Sequence, residues 1–128
     1  WVNGNIALMG DAAHAMMPFH AQGAAQSIED AWVLARCLEM GAADVPTALN
    51  KYQSLRYERA NLVQGQSRAA EHLFHMSAPD EVATRNARFR KMGATSQGGF
   101  PSGQRWLFAY DAEKAVLGTD DEWRALRW

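Results

Sequence analysis

Cysteine is almost missing from this chain of 128 residues. Cys37 stands alone, which excludes an internal disulfide and a cysteine-rich metal cluster and makes the cytoplasm the default compartment. Charge of one sign is lacking as well. Thirteen Lys and Arg against fourteen Asp and Glu leave a net charge of −1. That balance draws the chain neither to nucleic acid nor to an acidic membrane surface. No apolar run nears the ~18 residues of a membrane span, and no basic, apolar leader opens the sequence. The ten glycines never fall into the G-x-G-x-x-G dinucleotide pattern, and no phosphate-loop pattern occurs. Internal repeats and low-complexity runs are absent, and no Ser-His-Asp or Cys-His arrangement is signalled. What remains is an ordinary globular balance, 48% hydrophobic and 21% charged, fitting one small domain or a piece of a larger one. The opening Trp1-Val2-Asn3-Gly4-Asn5 reads as a turn feeding a strand already under way. Asn3-Gly4 is a hairpin signal. The expectation is the C-terminal portion of a longer protein.

The informative stretch runs from Ile6 to Ala31. Ile6 to Met9 are four apolar residues in a row, the pattern of a strand covered on both faces. Gly10 ends the strand, and Asp11 places a carboxylate at its C-terminal edge, where α/β sheets gather ligands. Asp11 has two roles open to it: a cap for the following turn, or acceptor for a cofactor hydroxyl. Pro18 fixes a φ angle. Gly23-Ala24-Ala25 carry no bulk, and a helix predicted from Gly23 to about Met40 aims its first N–H groups into the same space. A carboxylate, a small-residue loop and a helix N-terminus together describe a cofactor seat.

Gly10-Asp11-Ala12-Ala13-His14, then Pro18, Gln22-Gly23-Ala24 and Glu29-Asp30-Ala31 resemble the second flavin motif of the FAD-dependent aromatic-ring hydroxylases. These are the single-component flavoprotein monooxygenases, and the salicylate-hydroxylase-like branch is nearest. Tyr52 to Ala60 and Trp106 to Ala112 resemble later segments of that branch, so the likeness covers most of the chain. It implies an α/β, FAD/NAD(P)-binding hydroxylase fold for the intact enzyme. This chain would be mostly α-helical, with one or two strands and a C-terminal tail. It implies FAD as cofactor, NAD(P)H as electron donor, and O2 and a small salicylate-like aromatic as substrates. It further implies that Gly10, Asp11, Ala12, Pro18, Ala21, Gln22, Gly23, Ala24 and Ala25 line the flavin. Asp11 would reach the ribityl or sugar-phosphate region, and the Gln22 to Gln26 backbone the pyrimidine end of the ring. His20 is the candidate beside substrate or flavin. Ala21 stands where the family commonly has glycine, and Ala25 where it has Asn or Gly. A positive φ at Ala21 would carry a steric cost. The adenine end of FAD would sit on a G-x-G-x-x-G unit outside this sequence, so residues 1–128 alone are expected to be inactive. Two rivals are a non-catalytic helical interaction module and an epoxidase or dehydrogenase on the same flavoprotein fold. The Asp11 to Asp30 motif separates the first of these, because a helical scaffold has no use for it.

The remaining segments divide into strand and loop over 1–22, helices over about 23–92, and loop and tail over 93–128. On the first helix, Ile28, Ala31, Ala35 and Leu38 fall at helical spacing with Trp32 beside them, and are expected inside. Cys37 reads as a small core residue, and Gly41 as the helix stop. Asp44-Val45-Pro46 is a helix start. The second helix is predicted from Pro46 to about His75. Its apolar stripe is Leu55, Leu62, Ala69 and Met76, with Tyr52, Gln66 and Leu73 alongside, while Arg56, Glu58, Arg59 and Arg68 make a solvated face. Gly65 is a weak point within it. A short helix is predicted from Glu81 to about Met92, then a loop from Gly93 to Gly103. Trp106, Trp123 and Trp128 carry too much aromatic surface for open water, which argues a docked tail over Trp106 to Trp128 that Tyr110 and Asp111 help to close. His14 is expected packed and hydrogen-bonded. His72 and His75, without a carboxylate at matching spacing, are expected solvated rather than metal-bound.

Overall fold

The computed structural model describes residues 1–41, 43–95 and 105–119, with backbone alone over 92–95. The chain opens on a hairpin. Strand β1 (Val2–Asn3) pairs antiparallel with β2 (Ile6–Ala7), Val2 facing Ala7 and Asn3 facing Ile6. The two turn residues are therefore Gly4 and Asn5, one place beyond the Asn-Gly pair that signalled them. Gly4 has φ 57°, as the first central position of a type II′ hairpin turn demands. The strand is shorter than the Ile6–Met9 run and not covered on both faces. Ile6 is 68% exposed and Leu8 44%, because a two-stranded ribbon is all the sheet among the described residues.

After Gly10 the expected loop is partly helical. Helix α1 (Asp11–His14) makes one turn, and a single 3₁₀ turn covers Pro18–His20. Helix α2 (Gly23–Met40) and helix α3 (Val45–Phe74) follow, with the bounds the sequence suggested to within a residue. Asp44 caps α3. Its carboxylate accepts from the Thr47 N–H at 3.2 Å and the Thr47 hydroxyl at 2.6 Å. Gly41 stops α2 by giving its N–H to Cys37 O, but at φ −108° it is not left-handed. Glycine is required there for space, since a Cβ would lie 2.9 Å from the Ala48 Cβ. Contacts between Gly41 and Ala48, Asp30 and Arg56, and Glu29 and Arg59 run in opposite directions along the two helices. α2 and α3 therefore form an antiparallel hairpin. Helix α4 (Pro79–Thr95) starts two residues before the expected Glu81, with Pro79 in its first turn, and runs past Met92 into the segment read as loop. The rest of that loop, and Trp123 and Trp128, lie outside the described residues. Two short helices end the described chain, α5 (Arg105–Phe108) and α6 (Ala112–Leu117), the latter capped by Asp111. Glu113 fastens α6 to α2 through Arg36, at 3.0 and 3.1 Å, and Trp32 Nε1–H.

The faces of both long helices differ from expectation. On α2 the buried row is Gln26, Asp30, Val33 and Cys37. Ile28 is 71% exposed and Trp32 52%. On α3 the buried row runs through Leu49, Tyr52, Arg56, Arg59, Ala60, Val63, Ser67 and Ala70. Leu55 and Leu62 are half-buried and Ala69 is exposed. Arg56 and Arg59, expected in solvent, are both fully buried, whereas Arg68 is exposed. Apolar residues pack on either side of these charges. One cluster joins Val33, Cys37, Ala48, Tyr52 and Val116, and the other joins Val63, Trp106 and Leu107. Arg56 and Arg59 fall between Tyr52 and Val63 along α3, so an ionic layer separates two small cores. α3 passes through Gly65 without a break.

Candidate functional site

Gly10 is the pivot of the site. Its φ of 57° and ψ of −140° belong to glycine, and its neighbours also demand it. A Cβ on Gly10 would stand 3.0 Å from Ser27 Oγ on α2. Its N–H donates to Asp30 Oδ2 at 2.9 Å, and its carbonyl accepts from Ala13 and His14 N–H, each at 2.9 Å. The turn is thus held against the first turns of α2. Asp11 comes next, its carboxylate exposed in the first turn of α1 and its main chain fixed on both sides. Ala12 is exposed beside it.

The loop then returns to the start of α2. Ser67 Oγ donates to Met17 O, and Gln64 Nε2 donates to Ala15 O at 2.8 Å, so α3 carries the middle of the loop. Pro18 is exposed and opens the 3₁₀ turn. Ala21 closes that turn in the left-handed region, at φ 51° and ψ 33°, with its N–H on Pro18 O. Ala21 therefore takes the positive φ, at the steric cost an alanine bears there. Gln22 is buried and precedes α2 without a side-chain cap. Gly23 and Ala25 are half-buried and Ala24 is exposed. The first-turn N–H groups of α2 are thereby left to main-chain geometry, water or a ligand. A Cβ on Gly23 would meet Met16 Cγ at 3.9 Å, which places the loop against that helix end.

Chemically, this arrangement offers one exposed carboxylate on a fixed turn and an uncapped, small-residue N-terminus of an 18-residue helix. A flat group carrying hydroxyls and a site of negative charge fits such donors and acceptors. His20 lies apart from the pivot residues. It is half-buried and lines a cavity of about 770 Å³ with Phe19, His72, Phe74 and Phe89. His72 and His75 are exposed. Among the described residues no group of three or more His, Cys, Asp or Glu is placed to hold a metal ion. No helix of the described residues is long and apolar enough to cross a membrane.

Beneath the turn lies a charged layer that the sequence reading missed. Asp30 Oδ2 takes His14 Nε2 at 2.6 Å besides Gly10 N–H, and its Oδ1 takes Arg56 Nε at 2.7 Å. Arg56 continues to Glu29 at 2.6 Å and Gln26 Oε1 at 2.8 Å. Glu29 grips Arg59 through both carboxylate oxygens at 2.8 Å, and Arg59 donates to Leu107 O at 2.9 Å. The Tyr110 ring lies under both guanidiniums, 5.3 Å from Arg56 and 4.2 Å from Arg59. Burial alone would raise the Asp30 carboxyl. The hydrogen bonds from His14, Arg56 and Gly10 outweigh it and hold the group below its ordinary 3.8. His14 is fully buried, as expected, and its Nδ1 has no hydrogen-bond partner among the described residues. Because a carboxylate only accepts, Nε2 is the donating nitrogen. The signal in the sequence was the adjacent Glu29-Asp30 on one helix and Arg56 and Arg59, three apart, on the next. Those arginines also share the row of Tyr52 and Val63.

The family model described as "FAD binding domain" matches residues 1–67, which hold the hairpin, the turn, α2 and most of α3. The chain is 43% identical over 119 residues to a 3-amino-4-hydroxybenzoate 2-monooxygenase of Streptomyces platensis, covering 88% of this chain and 27% of that protein. It is 39% identical over 109 residues to a 3-hydroxybenzoate 6-hydroxylase of Aquipseudomonas alcaligenes, covering 84% and 26%. An aurachin C monooxygenase/isomerase of Stigmatella aurantiaca is 43% identical over 103 residues, covering 69% and 27%. The chain thus spans about a quarter of the length of the curated relatives it matches.

Proposed function

Because the chain belongs to the FAD binding domain family, we propose that it supplies the second flavin-binding element of an FAD-dependent monooxygenase acting on an aromatic ring. The observation that carries the reading is the fixed Gly10–Asp11 turn set against the uncapped start of α2. Asp11 accepts from a hydroxyl of the ribityl chain. Gly10 and Ala12 leave the backbone bare beside it. Pro18, Ala21, Gln22, Gly23, Ala24 and Ala25 follow the edge of the ring. The N–H groups of Gly23 to Ala25 offer positive potential where reduction places negative charge. When bound, FAD supplies the activation of O2 that delivers one oxygen atom to the substrate. The protein's part is to hold the ring, shield it from water and stabilise its charge.

The electron donor in this reading is NADH or NADPH. The substrate is a small aromatic of the hydroxybenzoate class, salicylate among them. The names of the relatives from Streptomyces and Aquipseudomonas support that class. His20, beside the Pro18 turn, is the residue proposed to face substrate. Residence in the cytoplasm belongs to the same reading. The test is oxygen uptake by the FAD-loaded holoenzyme with NADH or NADPH and a panel of hydroxybenzoates, the products identified by mass spectrometry. A ring-hydroxylated product is expected with at least one acid. Donor oxidation that yields only hydrogen peroxide with every acid contradicts the reading.

A further inference from the structure

The charged layer lies under the site, not in it, yet it determines where the site's backbone sits. Gly10 N–H and His14 Nε2 meet on the same oxygen of Asp30, at 2.9 and 2.6 Å. These two residues flank Asp11 on either side, and His14 N–H returns to Gly10 O at 2.9 Å. Asp30 therefore clasps both ends of the short segment that presents the Asp11 carboxylate. Arg56 holds Asp30 in turn from its other oxygen, at 2.7 Å. Glu29 then links Arg56 to Arg59, which ends on the carbonyl of Leu107. Asp30, Arg56 and His14 are all fully buried. A buried ionic cluster of this kind is poor value for stability, since apolar side chains of the same volume do as well or better. What directional bonds add is a unique geometry.

We propose that Asp30, His14 and Arg56 are positioning residues that preset the Gly10–Asp11 turn for the flavin. This rests on the assignment of Asp11 to the flavin under Proposed function. With the turn fixed beforehand, FAD binds without ordering the backbone that receives it, and its ribityl chain meets a carboxylate in one place. With the clasp broken, the turn samples other conformations. Affinity then falls by the fraction of time the turn is in register. The ring shifts against the N–H groups of α2, so its reduction potential moves too.

The experiment measures FAD affinity, by flavin fluorescence titration of the full-length apoprotein, and reduction potential, by dye equilibration of the reloaded holoenzyme. The variants are Asp30→Asn, His14→Gln and Asp11→Ala, with Val116→Ala as a core variant outside the charged layer. Denaturation midpoints are recorded for all of them. Asp30→Asn and His14→Gln are expected to weaken FAD about tenfold, the loss of one hydrogen bond to a charged group, and to shift the potential. Val116→Ala, 2% exposed in the wild type, is expected to lower the midpoint and leave both flavin readouts unchanged. If Asp30→Asn does not fold, His14→Gln carries the same test, because it removes the imidazole from Asp30 Oδ2 and leaves the carboxylate bonded to Gly10 and Arg56. Variants of Asp30 and His14 that lose stability yet keep wild-type affinity and potential overturn the inference, while a weakened Asp11→Ala keeps the flavin assignment. Unchanged affinity in Asp11→Ala overturns both.

Discussion

Replacing Arg56 with alanine removes the centre of the buried layer, and the consequence follows from its bonds. Asp30 Oδ1 and the Gln26 side-chain oxygen lose donors at 2.7 and 2.8 Å, and Glu29 loses one at 2.6 Å. Asp30 is fully enclosed, so it loses the guanidinium without reaching bulk water. Breaking a buried pair by removing one partner costs about 3–5 kcal/mol, and that is the expected loss in urea denaturation. The pH dependence gives a second signature. In the wild type the Asp30 carboxyl sits below its ordinary 3.8. Its contribution is therefore present above that value and lost as pH falls through the lower, folded one. Without Arg56 the folded carboxyl is no longer held as far below that value, so the part of the acid-dependent loss that Asp30 contributes becomes smaller. In a double-mutant cycle, Asp30→Ala with Arg56→Ala should cost clearly less than the two single losses added. A loss under about 1 kcal/mol, the scale of a solvated ion pair, together with an unchanged acid limb, refutes the reasoning.

Two further substitutions test the backbone. Ala21 sits at φ 51° and ψ 33°, so Ala21→Gly should stabilise the protein by about 1 kcal/mol by relieving left-handed strain; thermal unfolding showing no gain contradicts that path. Gly65 is exposed within α3, and a Cβ there would meet nothing within 4 Å. Gly65→Ala should therefore add about 0.5–1 kcal/mol in the same measurement, and a loss would mean that the helix is not continuous at that point.

Much of the local structure was legible because single residues dictate it. Asp44, Pro46 and Gly41 mark ends that the structure keeps. Gly23 to Met40 and Val45 to Phe74 emerge as the two long helices. The family was legible through the resemblance carried by Gly10-Asp11 to Glu29-Asp30. Which way the helices face was not. Ranking side chains by polarity placed Ile28 and Trp32 inside and Arg56 and Arg59 outside, and all four are reversed. The reason is that four opposite charges on two facing helices neutralise one another, and only their mutual position makes burial tolerable. That position is a tertiary fact. Ile28, Ile6 and Leu8 illustrate the other failure: apolar patterning marks surfaces meant for cover, and the described residues do not supply the cover.

The Gly10–Asp11 turn and the start of α2 are proposed to form the flavin seat. The most direct measurement is a flavin fluorescence titration of the Asp11→Ala apoprotein against wild type. Loss of a hydrogen bond to a buried partner costs about 1–3 kcal/mol. With the seat there, FAD affinity is expected to fall by roughly tenfold to a hundredfold, with the denaturation midpoint of the FAD-free protein little changed, because Asp11 is exposed. An Asp11→Ala protein that binds FAD as tightly as wild type contradicts that placement.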